Sequence, residues 1–273
     1  MVSDKGKVMG GDIFGVEGRV AVVTGAAMGL GRAFANALAQ AGARVACVDR
    51  DTDALTDTVE AIGNHAFAVT ADVADAAGVD AAARHILSES GGRIDILINN
   101  AGIATYPGRL LDIPVEDWDR AVAVNLRSVF LVTRAFMPAL LKSEHASIIN
   151  LSSFLGLVGA YPGFAITAIP YAATKAAVVG FTRQLAIEYA VEHVRVNAIA
   201  PGWHGGTRLG REKMGRATPE EIKQFEAYIQ GSVPMGHRGT PEDLTGLVLY
   251  LASDASRYVT GQIFAHDGGL TAA

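Results

Sequence analysis

The chain has 273 residues, half of them hydrophobic, and a mass of 28.5 kDa; it can bury a sizeable core and is too apolar to be a disordered chain. A net charge of −5 argues against nucleic acid as the main partner, and a single cysteine excludes an intrachain disulfide. No uninterrupted apolar run reaches the roughly 18 residues of a membrane span, and no C-x-x-C pair or histidine cluster suggests a metal, so the expectation is a cytoplasmic protein with no membrane partner.

Residues 1–16 are polar and Gly-rich, without the apolar core of a signal peptide, and read as an N-terminal extension. From residue 17 to 273 short apolar runs alternate with longer amphipathic stretches. Strands are expected at 19–24 (RVAVVT), 44–48, 66–70, 94–98 (IDILI), 147–151 (SIINL), 195–199 and 262–265. Helices are expected at 30–40, ending at Gly42, and at 52–62, 74–90, 115–141, 172–193 and 241–251. Cys47 lies inside the second strand and reads as a buried core thiol. Residues 203–236 are polar and mixed, and read as a substrate loop. Strands that are apolar throughout, each followed by a helix, indicate a parallel sheet covered on both faces. No composition shift divides the chain, so the reading is one α/β domain, a Rossmann-type doubly wound parallel sheet of seven strands. In such a sheet ligands bind beyond the carboxyl ends of the strands.

The first of those ends carries Thr24, Gly25, Ala26, Ala27, Met28, Gly29, Leu30 and Gly31, between a strand and a helix. Glycines there let backbone N–H groups and a helix N-terminus approach a pyrophosphate. Asp49 ends the second strand, 18 residues after Gly31, where a carboxylate accepts ribose hydroxyls and repels a 2′-phosphate. Arg50 partly offsets that charge and Met28 adds no cation, so NAD is expected over NADP; the competing reading of Asp49 is a helix N-cap. Asp72 and Val73 end the third strand, to bracket an adenine or to cap the next helix. Asn99, Ala101 and Gly102 end the fourth and can pass close to a ribose, with Asn100 tying strands together.

Tyr171 and Lys175 stand four residues apart, on one face of a helix. An ammonium at about 4 Å and an effective dielectric of 20 contributes about 4 kcal/mol, enough to lower a phenol by about three pKa units. The expectation is a tyrosine that moves protons near neutral pH. Ser153 follows the fifth strand, where a hydroxyl can hold a substrate oxygen, and Asn125 is an odd choice for a helix interior, where its amide can hold a water linking Lys175 to solvent.

With these motifs in this order, together with Pro201-Gly202 and Asp267-Gly268-Gly269, the chain resembles the classical short-chain dehydrogenase/reductase family from about residue 17 to 270. The resemblance implies strand order 3-2-1-4-5-6-7 and a homotetramer. It implies Tyr171 as acid/base, Lys175 holding the nicotinamide ribose, Ser153 orienting substrate and Asn125 completing a proton relay. It extends the cofactor contacts to Pro201, Gly202 and His204. Three departures stand out. The segment between Ser153 and Tyr171 is longer than usual, with an apolar stretch at 163–169 and a competing Tyr161 that lacks a lysine four residues on. Gly206 replaces a frequent threonine, with Thr207 next. The extension at 1–16 is additional.

The expected activity is NAD-dependent interconversion of a secondary alcohol and a ketone, on a sugar, sugar acid, polyol or hydroxy acid. The local basic excess of His204, Arg208, Arg211, Lys213 and Arg216 against Glu212 suggests an anionic substrate, against the plainer reading of a solvated helix face. The alternatives are a 3-oxoacyl thioester reductase and a non-catalytic nucleotide-binding sensor on the same fold.

Overall fold

A computed structural model describes residues 13–105, 108–159, 169–206 and 218–273. Seven strands form one sheet: β1 (Val20–Thr24), β2 (Arg44–Asp49), β3 (Ala66–Thr70), β4 (Ile96–Asn99), β5 (Ser147–Leu151), β6 (Arg195–Pro201) and β7 (Ile263–His266). All pairs are parallel and the order is β3-β2-β1-β4-β5-β6-β7. The helices are α1 (Gly29–Gln40), α2 (Thr52–Ile62), α3 (Ala76–Glu89), α4 (Val115–Val122), α5 (Ser128–Leu140), α6 (Ile169–Glu188), α7 (Pro219–Ser232) and α8 (Thr245–Ala252).

The continuous apolar strands have the expected cause. Ala21 and Val23 of β1 pack in one buried cluster with Phe34, Leu38 and Leu251. Val20 and Val22 pack in the opposite cluster with Ile86, Phe136 and Leu140. Alternate side chains of one strand therefore enter two cores, which makes both faces of the strand apolar. Cys47 is fully buried in the first cluster, and burial pushes its thiol up to about 12, so it is inert packing. The strand order reverses between β1 and β4, which opens the crevice where this class of sheet binds ligands.

The helix expected at 115–141 is a continuous helical run with a defect. Residues Ala123–Arg127 form a π-turn between α4 and α5, and the fully buried Asn125 lies inside it. One extra residue per turn commonly marks functional positions. The run Val115–Leu140 is long and apolar enough to cross a membrane, but half of its most apolar window is buried, and the run packs on β4, α3 and α6.

Three expected features fall outside the described residues: the start of the chain at 1–12, the insertion at 163–168 with Tyr161, and the cluster of Thr207, Arg208, Arg211, Glu212, Lys213 and Arg216.

Candidate active site

The turn after β1 is built by contacts only glycine permits. Gly25 has φ +67, and a Cβ on Gly31 would stand 2.1 Å from the Gly25 carbonyl oxygen. The Asn100 amide donates to the carbonyls of Thr24 (2.9 Å) and Gly25 (3.1 Å), and Thr24 Oγ1 accepts from the backbone N–H groups of Asn100 and Ala101. Asn100 thus stitches β1 to β4, and the end of β4 fixes the turn.

The first three helices differ in how their N-termini are capped. The N-cap Asp51 of α2 accepts from Ala54, and the N-cap Asp75 of α3 accepts from Ala77 and Gly78. The N-cap of α1 is Met28, which makes no side-chain hydrogen bond, and the first turn carries no acid. The backbone N–H groups that open α1, from Gly29 to Gly31, thus have no side-chain cap and present partial positive charge to an anion. This open cradle fits the pyrophosphate of a dinucleotide.

Asp49 is not the N-cap of α2; Asp51 is. The Asp49 carboxylate accepts from the N–H of Ala27 in the glycine turn and from the N–H of Asp51, 3.1 Å each. It is half-buried at the edge of the crevice, with Arg50 exposed beside it. Asp72 accepts from the Ala74 N–H, and Val73 is buried in the core. The Asn99 side chain turns into the protein: its Nδ2 donates to Thr133 and Asn150, and Asn150 donates to Thr182, a buried polar chain from α5 through β4 and β5 to α6.

At the ends of β4 and β5 the second set converges. Asn125 Oδ1 accepts from the Ile103 N–H at 2.8 Å and Nδ2 donates to the Ile103 carbonyl, so Asn125 clamps the loop after β4. A Cβ on Gly102 would lie 3.4 Å from Asn125 Oδ1 and 3.5 Å from Lys175 Nζ, so the amide and the ammonium both stand against that glycine. Ser152 is structural, donating to the Lys175 carbonyl. Ser153 accepts from the Leu155 N–H and hydrogen-bonds Tyr171.

The electrostatics differ from the sequence expectation. Lys175 is buried, its Nζ donates to the Leu151 carbonyl at 2.7 Å, and it lies 5.6 Å from the centre of the Tyr171 ring. Burial outweighs the Ser153 hydrogen bond and pushes the Tyr171 phenol up to about 12; burial also pushes the Lys175 ammonium down to about 8. The expected lowering of the phenol assumed an ammonium near 4 Å and omitted desolvation of both groups. Burial thus favours the neutral phenol at Tyr171.

Gly202 donates to the His266 carbonyl, and a Cβ on it would meet Asp267 at 2.6 Å, so Pro201-Gly202 closes against the Asp267 turn. His204 packs on Gly239, its Nδ1 3.2 Å from the Gly202 carbonyl and its Nε2 3.3 Å from His266 Nδ1. Its ring is engaged by protein on both nitrogens, and burial lowers its pKa. Among the described residues no group of three or more His, Cys, Asp or Glu is arranged to hold a metal.

One group escaped the sequence reading. Phe154, directly after Ser153, packs on Trp203, directly after Gly202, with ring centroids 5.1 Å apart. Trp203 meets Phe225 and Tyr228 of α7 edge-on. The only sequence signal was an aromatic residue flanking each of two motifs.

Comparison with known proteins agrees with this architecture. Residues 25–271 match the family model described as enoyl-(acyl carrier protein) reductase. The chain is 37% identical to the 3-oxoacyl-(acyl-carrier-protein) reductase FabG of Thermotoga maritima, over 93% of this chain and 98% of that one. Among solved structures it is similar to an NADP complex of RhlG from Pseudomonas aeruginosa (34% identity, TM-score 0.84, 94% and 98% of the two chains). It is equally similar to 3-ketoacyl-(acyl-carrier-protein) reductase from Brucella melitensis complexed with NADH (35%, TM-score 0.82, 93% and 99%). With its glycine turn, its seven parallel strands in this order and relatives matched over nearly their whole length, the chain belongs to the classical short-chain dehydrogenase/reductase family.

Proposed function

We propose that the protein interconverts a secondary alcohol and a ketone with NAD, using Tyr171 as proton donor and acceptor, Ser153 to hold the substrate oxygen, and Lys175 and Asn125 to support them. The observation that carries this reading is the convergence of Ser153, Tyr171, Lys175 and Asn125 at the ends of β4 and β5, beside the uncapped α1. When bound, the nicotinamide cofactor supplies or accepts the hydride. Gly25, Met28, Gly29, Leu30 and Gly31 would hold its pyrophosphate, and Asp49, Arg50, Asp72 and Val73 its adenosine half. Asn99, Ala101, Gly102, Tyr171, Lys175, Pro201, Gly202 and His204 stand toward the nicotinamide half; for Asn99 and His204 main-chain contact is the reading, since their side chains are engaged elsewhere.

In carbonyl reduction Ser153 hydrogen-bonds the ketone oxygen and the Tyr171 O–H gives that oxygen its proton as hydride reaches the carbon. Alcohol oxidation runs the same transfer backwards and requires the phenolate. A phenol near 12 therefore makes oxidation faster as pH rises and leaves reduction competent at neutral pH. Lys175, charged below about pH 8, stabilises the phenolate as it forms.

Asp49 supports NAD over NADP, because its carboxylate would face a 2′-phosphate at a cost of about 4 kcal/mol per charge pair at 4 Å and a dielectric of 20. The substrate reading remains a sugar, sugar acid, polyol or hydroxy acid. A 3-oxoacyl thioester is the second reading, favoured by the 37% identity to FabG over nearly the whole chain. A cytoplasmic homotetramer is part of the proposal, supported by the exposed Trp118 and Phe130 on α4 and α5, apolar surface of the kind subunits cover.

The test is Tyr171→Phe, assayed by absorbance at about 340 nm with NAD and a panel of these alcohols. Turnover should fall at least about a thousandfold, while NADH affinity stays within about threefold of wild type. Retained turnover would sink the assignment.

A further inference from the structure

Trp203 ties the turn that follows Ser153 to helix α7. The catalytic-side part is the single turn Phe154–Gly156 that follows Ser153, with Phe154 buried. The other part is α7, whose Phe225 and Tyr228 stand three residues apart and project from one helix face. The indole is tilted 57° to Phe154 at 5.1 Å and edge-on to Phe225 at 5.4 Å and Tyr228 at 6.4 Å. Behind Phe225 lies the Arg238 guanidinium, 5.7 Å from the ring centre, paired with Glu226. The indole is thus held in one orientation by aromatic contacts on two sides.

What Trp203 offers a ligand follows from its burial. The residue is only partly buried, yet its Nε1 is fully covered and has no hydrogen-bond partner among the described residues. Its exposed surface is therefore carbon and main chain, not the N–H donor. Such a surface recognises a flat or cyclic body by area and shape; it gives nothing to a small molecule whose surface is mostly hydroxyl.

We propose that Trp203 is a specificity-determining residue: its indole forms one wall of the substrate site beside Ser153 and selects alcohols whose carbinol carbon belongs to, or directly bears, a ring. Open-chain polyols and short hydroxy acids are disfavoured. This rests on the hydride-transfer reading and narrows its substrate class to closed-ring members.

The experiment compares cyclohexanol, glycerol and lactate with NAD on wild type, Trp203→Phe and Trp203→Ala. Wild type should prefer cyclohexanol. Trp203→Ala should lose about 10- to 100-fold in kcat/KM for cyclohexanol, chiefly through KM, while its kcat/KM for glycerol changes less than about threefold; Trp203→Phe should keep most of the preference. A second readout needs no turnover. The sequence has two tryptophans, so Trp118→Phe leaves Trp203 as the sole indole emitter. In that variant with NAD present, cyclohexanol should shift the emission and glycerol should not. A shift without turnover in any variant keeps the wall and removes the hydride-transfer reading. A wild type that prefers glycerol or lactate, an equal loss on all alcohols in Trp203→Ala, or an emission indifferent to cyclohexanol overturns the proposal.

Discussion

Replacing Lys175 by Met should abolish activity and raise stability at neutral pH. The lysine is buried, and its ammonium is held at about 8 against an ordinary 10.5. That gap corresponds to about 3 kcal/mol of disfavoured charge in the native state at pH 7. Methionine removes the charge at nearly the same length, but leaves the Leu151 carbonyl without its donor, which costs about 1–2 kcal/mol. The net is a gain of about 1–2 kcal/mol, or about 2–4 °C in Tm for a chain of this size. The pH dependence identifies the cause. Below pH 8 lysine is charged in both states, and the native state bears the full desolvation penalty. Between about 8 and 10.5 the unfolded chain binds more protons than the native one, so wild-type stability climbs with pH. The advantage of Lys175→Met should therefore be largest at pH 7 and reverse across that window, where only the lost hydrogen bond remains. The assay is thermal unfolding of ligand-free protein at pH 7, 8.5 and 10, values chosen to bracket the titration. A variant that melts below wild type at pH 7, or a difference that does not change with pH, would refute the reasoning.

Two further changes probe the cofactor end. Asp49→Asn removes the charge but keeps an oxygen acceptor for the Ala27 or Asp51 N–H. Because Asp49 is half-buried and screened, NADP should gain about 10- to 100-fold in kcat/KM relative to NAD, measured with both cofactors on one alcohol. Gly31→Ala drives a Cβ to 2.1 Å from the Gly25 carbonyl and 2.6 Å from the Asn100 amide. Backbone must shift, so dinucleotide affinity should fall more than about a hundredfold by fluorescence titration, with Tm lowered by several degrees.

Seven strands were readable from the chain because the five central ones are buried on both sides, and a run such as VAVVT has no other stable place, whereas their order followed from the family resemblance. The caps of α2 and α3 were harder to place. Asp49, Asp51, Asp72 and Asp75 are chemically equivalent candidates, and only backbone direction selects Asp51 and Asp75. The only local signal of the π-turn was an asparagine in a helix interior, because the turn is stabilised from outside the helix, by both backbone groups of Ile103. The phenol's direction of shift was misread for a related reason. A sequence supplies the charges and their spacing, but the burial that raises Tyr171 and lowers Lys175 belongs to the folded cleft. The aromatic group of Phe154, Trp203, Phe225 and Tyr228 is distant in sequence and obeys no period, so only the fold assembles it.

The two ends of the sheet use their polar groups differently. At the amino ends of the strands polar groups are fully used. Buried Asp95 accepts from the Val20 N–H, Arg93 and Ser143; Arg19 bonds the Ala252 carbonyl and pairs with Asp254, which also holds His145; Arg195 and Ser147 both donate to the Leu251 carbonyl. At the carboxyl ends the same chain leaves α1 without a side-chain cap, Asn99 Oδ1 and Trp203 Nε1 buried without partners, a π-turn in its longest apolar run and a lysine stripped of water. Each of these is unfavourable for folding by about 1–3 kcal/mol. On the crevice side such groups have a use, because open donors and a desolvated ammonium act only where something binds.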